Sequence, residues 1–266
     1  MKNAFMYDVT PHVAEIYDQS ETYTDDVELI QNLIQGSGGL RILEPFCGTG
    51  RILIPLALAG HTMIGLDNAT GMLLRASQKI QNLDKDIQGE ISLIKADVVD
   101  AIWPKNFDLV ILGGNCFYEL SGPDEQEKCI MNAASALKPG GYLYVDNNHM
   151  EGELDPSWQI PGMRAGFPTG VCSDGTSVES WTETIWFDIP NRLAKFRRLT
   201  KVNFPDGSSI EQEYFQQKHP VSTAEVQSWL ETHGFLIEQL YGDRNGIPYS
   251  NESSRAIFWA CRGKTD

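Results

Sequence analysis

The stretch Glu44-Pro45-Phe46-Cys47-Gly48-Thr49-Gly50 decides the fold, because it sets an acid at the end of a short apolar run and a glycine-containing turn directly after it. Residues 41–44 read as a strand and residues 50–59 as the helix that follows. Glycines at such a turn permit close backbone approach, and the acid accepts hydrogen bonds, as a nucleoside ligand requires. Taken alone, the loop also suits an ordinary strand-to-helix turn.

Working outward, strands at 62–67, 91–95, 108–112 and 142–146 alternate with helices at 71–81 and 126–137. Such alternation implies right-handed crossovers and a parallel sheet covered on both faces, a doubly wound α/β layout. Upstream, residues 7–20 have mostly helical spacing that Pro11 interrupts, and the helix 25–35 ends at Gly36, Gly38 and Gly39. Residues 1–36 therefore read as an N-terminal helical flap and 40–148 as the cofactor-binding half.

After Asn148 the pattern changes. Pro156, Pro161, Gly162, Gly166, Pro168 and Gly170 crowd into a loop in which no helix is expected. The runs 178–187, 193–204 and 209–215, separated by Pro190-Asn191 and Pro205-Asp206-Gly207, predict a three-stranded antiparallel meander. The helix 223–232 and strands 235–241 and 255–261 resume the α/β pattern. Residues 150–218 thus read as an insertion within a single domain spanning 1–266, and 219–266 as its closing helix and two strands.

The net charge of -15 opposes nucleic-acid binding, which relies on Lys and Arg displacing condensed counterions. The basic run 192–201 reads as a solvated strand face, and Arg51 as a residue acting at a single site. Five cysteines without a CxxC pair argue against a disulfide framework or zinc knuckle and favour a reducing, cytoplasmic setting. Asp8, His12, Glu15 and Asp18 stand where a signal peptide would be apolar, and no membrane span is expected.

A second acid, Asp67, lies 23 residues after Glu44 at the end of the next predicted strand. Such an acid takes ribose hydroxyls, or alternatively caps the helix that follows. Dinucleotide binding also wants a small residue three positions after the second glycine, and Leu53 stands there instead of it. A ligand without phosphates tolerates that difference.

At this point the sequence resembles the class I S-adenosylmethionine-dependent methyltransferases, through ILEPFCGTGR (42–51), GLDNATGML (65–73), ADVVD (96–100), FDLVILGGNCFYEL (107–120) and LKPGGYLYVD (137–146). The resemblance implies a Rossmann-like seven-stranded mixed sheet, with the meander as a lid after the fifth strand. It implies that Glu44, Phe46, Gly48 and Gly50 line the methionine end of the cofactor and that Asp67 holds the ribose. Asn68 and Met72 would flank the adenine, Asp97 meet its exocyclic amine and Val98 offer a backbone amide. Gly113 or Gly114 would set a carbonyl near the methionine amino group. Two positions depart from the pattern: the first loop glycine is Phe46, expected to reshape the methionine pocket, and the usual capping serine is Ala69, a loss of about 1 kcal/mol.

Within that class the chain looks most like the glycine and small-molecule N-methyltransferases. AEIYDQ (14–19) resembles their N-terminal tyrosine segment, so Tyr17 would face the sulfonium. Read without the resemblance, Tyr17 is equally a core aromatic of an amphipathic helix. Methyl transfer is an in-line displacement needing alignment and dehydration of a nucleophile, without an obligatory acid-base pair. For a small-molecule amine or hydroxyl acceptor, the candidate bases are His149, Tyr118, Glu119 and Asn115, with His219 a second histidine expected at the same mouth. The meander aromatics Trp181, Trp186, Phe187, Phe196, Tyr214 and Phe215 read as strand packing rather than as an acceptor cage. S-adenosylhomocysteine would be the product. Two rival readings are an RNA or DNA base methyltransferase, since residues 115–118 keep the ends of an Asn-Pro-Pro-Tyr motif without its prolines, and a non-catalytic cofactor-binding protein.

Overall fold

Ile42 and Leu43 are sequence neighbours, both without exposed surface, and they lie in different hydrophobic cores. A strand covered on both faces does this, because successive side chains point to opposite sides. The computed structural model of the chain describes residues 10–148 and 156–263. Its first half runs α1 (Pro11–Ser20), α2 (Asp25–Leu33), β1 (Arg41–Pro45), α3 (Leu53–Leu58), β2 (Thr62–Asp67), α4 (Thr70–Gln81), α5 (Lys85–Gly89), β3 (Ile91–Lys95), β4 (Phe107–Leu112), α6 (Pro123–Ala136) and β5 (Leu137–Asn148). There follow β6 (Arg164–Ala165), β7 (Gly170–Val171), β8 (Ser177–Asp188), β9 (Leu193–Asn203), β10 (Ser209–Lys218), α7 (Thr223–Thr232), β11 (Phe235–Tyr241) and β12 (Arg255–Arg262).

Seven strands form one sheet in the order β11-β12-β5-β4-β1-β2-β3. β1 to β5 are parallel, and β12 runs antiparallel to both β5 and β11. This is the doubly wound α/β sheet that the alternating pattern predicts. α2 and α3 pack on the face that holds Ile42, Ile111 and Tyr144. α6 and α7 cover the other face, with Leu43, Val110 and Val145. The chain moves outward from β1 to β3 and returns on the other side of β1 for β4, which leaves a crevice outside the carboxyl ends of these strands.

A second, antiparallel sheet lies between β5 and α7 in chain order, arranged β10-β9-β8-β6 with β7 also on β8. Helix α1 is held between the two sheets' elements. Val13 and Ile16 pack with Cys172, Val178 and Val202, while Ala14 and Tyr17 pack with Ala69 and Met72 at the start of α4. Asp18 reinforces the second contact by accepting hydrogen bonds from Thr49 (2.6 Å), Arg75 (2.8 Å) and Lys79 (3.0 Å). Ala69 therefore replaces a capping hydroxyl with an apolar contact to α1.

Several boundaries differ from the pattern-based reading. Pro11 opens α1 rather than interrupting it, since a proline at the first helical position lacks only an N–H that would be unsatisfied anyway. Gly50 has φ 79°, which delays α3 to Leu53. β5 begins at Leu137 because the Pro139-Gly140 turn is carried as an irregularity in its pairing with β4. The Pro/Gly loop contains a short 3₁₀ turn, Pro156–Gln159, and contributes β6 and β7. α5 buries no residue, so it leaves no apolar period to read.

The carboxyl ends of the strands are tied by buried charges. Asp146, fully buried at the end of β5, accepts from Arg244 Nε (2.9 Å) and Arg255 Nε (2.6 Å). Asp26, fully buried in α2, accepts a bidentate pair from Arg51 (2.8 and 2.6 Å) and lies 3.7 Å from Arg244. Removing one partner of such a group leaves uncompensated buried charge, typically about 3–5 kcal/mol. Asp146→Asn is therefore expected to lower unfolding free energy in urea by about 3 kcal/mol or more. Asp100→Asn, which breaks the exposed 3.8 Å pair with Lys128, should shift it by less than about 1 kcal/mol. Similar small losses in both would contradict a structural role for the network.

Candidate functional site

The loop after β1 is built from left-handed residues: Phe46 at φ 63°, Gly48 at φ 54° and Gly50 at φ 79°. Its turn folds onto β2, where Cys47 N–H donates to the Leu66 carbonyl at 3.0 Å. Gly65 makes this approach possible, since a Cβ there would lie 2.6 Å from Cys47 Sγ. Asp67 then joins the loop to α4, its two oxygens accepting from Gly48 N–H (2.9 Å) and Ala69 N–H (2.8 Å). The N-cap of α4 is Ala69, so Asp67 is not the cap of that helix. Burial raises the Asp67 carboxyl to about 6, against the pull of these amide hydrogen bonds.

A cavity of about 380 Å³ opens over this loop. Tyr17, Glu44, Phe46, Gly48, Asp67, Asn68, Met72, Asp97, Val98, Gly113 and Gly114 all line it, so eleven of the twelve cofactor positions named from sequence converge on one space. Gly50 lies outside the lining. Glu44 is 4% exposed, and its Oε2 has no hydrogen-bond partner among the described residues. Burial holds its carboxyl well above the ordinary range, with Arg51 pulling the other way. Arg51 also lines the cavity, stacked 4.0 Å from the Tyr23 ring centroid and fixed by Asp26. Burial opposes the Arg51 charge, but Asp26 holds it firmly protonated. Six carboxylates and one arginine border this space: Glu44, Asp67, Asp97, Asp100, Glu119 and Glu125 face Arg51. Such a lining repels phosphate and suits a ligand with cationic centres. Asp100, Glu125 and Cys116 also line the cavity without having been named from sequence: Asp100 and Cys116 lie within the quoted motifs, and Glu125 comes from the first turn of α6.

The remaining candidates separate. Asn115 lines neither cavity: at φ 60° its side-chain oxygen accepts from Asn148 N–H (2.6 Å) and Arg255 (3.0 Å), a structural tie. His219 is 2% exposed and held between Gln126 Oε1 (2.7 Å) and Glu225 Oε1 (3.3 Å), so it does not face the mouth as its sequence position implies. The capping box of α7 uses Glu225 and turns this histidine inward. His149 lies outside the described residues. Tyr118 lines a second cavity of about 580 Å³, between the β5 end and the inner face of the antiparallel sheet, with Asn148, Thr182, Phe196, Arg198 and Lys218. Its neighbour Glu119 lines the first cavity and accepts from Gln216 of β10 at 3.3 Å. The short turn Cys116–Glu119 thus touches both spaces. Of the meander aromatics, Phe196 and Tyr214 are buried, whereas Trp186, Phe187 and Phe215 are substantially exposed.

Residues 42–141 match a family described as a methyltransferase domain. A glycine/sarcosine N-methyltransferase of Halorhodospira halochloris is 27% identical over 209 residues, covering 77% of this chain and 69% of that protein. Among solved structures, an S-adenosylmethionine-dependent methyltransferase from Clostridium acetobutylicum superposes with a TM-score of 0.70 at 17% identity, over 94% of this chain and 97% of that one. A sugar N-methyltransferase from Streptoalloteichus gives a TM-score of 0.66 at 17% identity, over 93% and 90% of the two chains. At these identities the two structures speak for the fold.

Phe46 carries the loop's strain. A left-handed residue with a side chain costs about 1–2 kcal/mol, which glycine avoids. Phe46→Gly relieves it while losing the ring; Phe46→Ala loses the ring and keeps the strain. The alanine variant is therefore expected to be less stable than the glycine variant by about 1 kcal/mol in urea denaturation, the reverse of the usual order. Alanine as the more stable of the two would contradict the loop conformation. With residues 42–141 matching a methyltransferase domain, an N-methyltransferase relative along most of the chain and the fold of solved methyltransferases, the chain is a class I S-adenosylmethionine-dependent methyltransferase.

Proposed function

We propose that this enzyme methylates the nitrogen of a small-molecule amine, with the cofactor in the acidic cavity and the acceptor entering through the second cavity beside Tyr118 and Glu119. The observation that carries the reading is the unpartnered, buried carboxylate oxygen of Glu44 in a space bordered by six acids. Asp67 would hold the ribose, Asn68 and Met72 the adenine faces, Asp97 and Val98 its edge, and Glu44 the methionine ammonium. When bound, the cofactor supplies an activated methyl group to a nucleophile aligned with it.

This chain's residues then have two tasks, excluding water and presenting the nitrogen unprotonated. Tyr17, packed edge-on to Phe167 with ring centroids 6.4 Å apart, closes one wall of the cavity. Tyr118 and Glu119 sit at the junction of the two spaces and are the side chains placed to meet the acceptor. The amine reading draws support from the glycine/sarcosine relative and the sugar N-methyltransferase fold, both acting on nitrogen by name. The acidic lining and net charge of -15 favour a small molecule over a nucleic-acid acceptor.

Binding of S-adenosylhomocysteine, followed by calorimetry, tests the assignment. Because burial raises the Asp67 carboxyl to about 6 and holds the Glu44 carboxyl well above its ordinary range, affinity is expected to fall as pH drops through about 6 and to gain further above it as Glu44 ionises. Glu44→Gln should weaken binding by about 10-fold to 100-fold, the value of a charge-assisted hydrogen bond of roughly 1.5–3 kcal/mol. No binding at millimolar ligand, or an unaltered constant in the variant, would overturn the placement.

A further inference from the structure

The inner face of the antiparallel sheet carries positive charge that forms no ion pair with any described acid; Arg198 lies 5.7 Å from the Phe196 ring centroid. Strand side chains alternate, so neighbouring arginines of β9 meet opposite surroundings. Arg197 points outward and pairs with Glu213 (2.6 Å) and Glu183 (3.4 Å). Arg198 points inward into the second cavity, where its Nε is buried and has no hydrogen-bond partner among the described residues. Thr182, opposite it on β8, likewise has a buried Oγ1 without a described partner. Lys218 borders the same space, its ammonium 5.1 Å from the Tyr118 ring centroid. Arg164 completes the lining but donates to neutral groups, the Ile160 carbonyl (3.4 Å) and Thr184 (3.0 Å).

Three bases and no acid among the described residues therefore border this space, in a chain holding 36 acids and 21 bases. None of the three forms an ion pair with a described residue. Burial pushes the Lys218 amine below the ordinary lysine range and the Arg198 charge adds to this, while Glu119 across the junction opposes it. Unpaired, partly buried cations are costly unless an anion completes them, and an arginine with a neighbouring hydroxyl is suited to an oxyanion.

We propose that Arg198 and Lys218, with Thr182, form an oxyanion subsite that selects the acceptor: an amine carrying a carboxylate or a phosphate. This rests on the reading that the acceptor occupies the second cavity. The subsite lies on the β-insertion, and the acid-lined cofactor space lies beyond Tyr118 and Glu119. An acceptor gripped at its anionic end from the sheet points its nitrogen toward that junction. Selection thereby works by charge sign, since an anion is repelled by the acidic cavity and held by the basic one.

The test uses the full chain with acetate, inorganic phosphate and neutral acetamide as probes, titrated with and without S-adenosylhomocysteine. Acetate or phosphate is expected to bind and acetamide to bind at least ten-fold more weakly. Arg198→Gln and Lys218→Gln should each lose ten-fold or more in oxyanion affinity while keeping the affinity for S-adenosylhomocysteine. Arg197→Gln, on the outer face, should change neither. Preference for acetate assigns a carboxylate acceptor and preference for phosphate a phosphorylated one. Because neither cation forms an ion pair with a described residue, Lys218→Gln is expected to leave the melting temperature unchanged or raise it; a fall would mark Lys218 as structural and overturn its role. Equal binding of acetate and acetamide, or oxyanion affinity unaltered in both variants, also overturns the proposal. Loss of S-adenosylhomocysteine binding in the unaltered protein would instead defeat the cofactor placement, and the oxyanion titration without it still decides the subsite.

Discussion

Asp26 and Asp146 are both fully buried, and Arg244 lies between them, 3.7 Å from one and 2.9 Å from the other. Through Arg51 and Arg255 this chain of charges joins α2, the loop after β1, the end of β5, the loop before β12 and β12 itself. Each of those segments is distant in sequence, and each ends at the carboxyl edge of the sheet. Parallel strands leave that edge open, because their crossovers place the loops there and nothing in the ladder fixes them. The ion network supplies the missing constraint. It holds Arg51 against the acidic cavity, and it orients Asn115 and Asn148, the latter at the wall of the second cavity.

On that fixed edge two spaces of opposite sign sit back to back. The cofactor cavity is acidic because strands β1 and β2 end in Glu44 and Asp67, with Asp97 on the loop after β3, an arrangement of sheet topology. The second cavity is basic because the inner row of β9 and β10 faces it. The turn Cys116–Glu119 separates them and contributes to both. Desolvation works against both sets of charges, raising the carboxyls of Glu44 and Asp67 and lowering the amine of Lys218, so each space favours a ligand of opposite sign that restores them.

The sheet was legible because its signals are local: Ile42 to Glu44, Leu66-Asp67 and the turn glycines each carry a period or a conformational demand that one segment reveals. The same holds for three acids of the cofactor cavity, Glu44, Asp67 and Asp97, which lie at or just beyond strand ends, whereas Glu125 comes from α6. Gly50 failed as a lining residue because its role is conformational, turning the chain into α3 while Ile54 packs over it. His219 failed because sequence placed it near the mouth, whereas Gln126 and the capping box of α7 pull it into the core. The run from Arg192 to Lys201 read as a solvated face, and half of it is one. Alternation sends Arg197 outward and Arg198 inward, and which parity faces the core depends on pairing with β8 and β10. Arg51 stood out as a lone arginine after the loop, but its partner Asp26 comes from a helix 25 residues earlier.

In the proposed arrangement, two cavities of opposite charge meet at Tyr118 and Glu119 to form one transfer site. The most direct measurement is a crystal structure with S-adenosylhomocysteine bound. The expected result has the nucleoside against Asp67 and Asp97, the amino group on Glu44, and the sulfur opening toward the junction with the second cavity. A sulfur turned away from that junction, or walled off from the basic cavity, would contradict it.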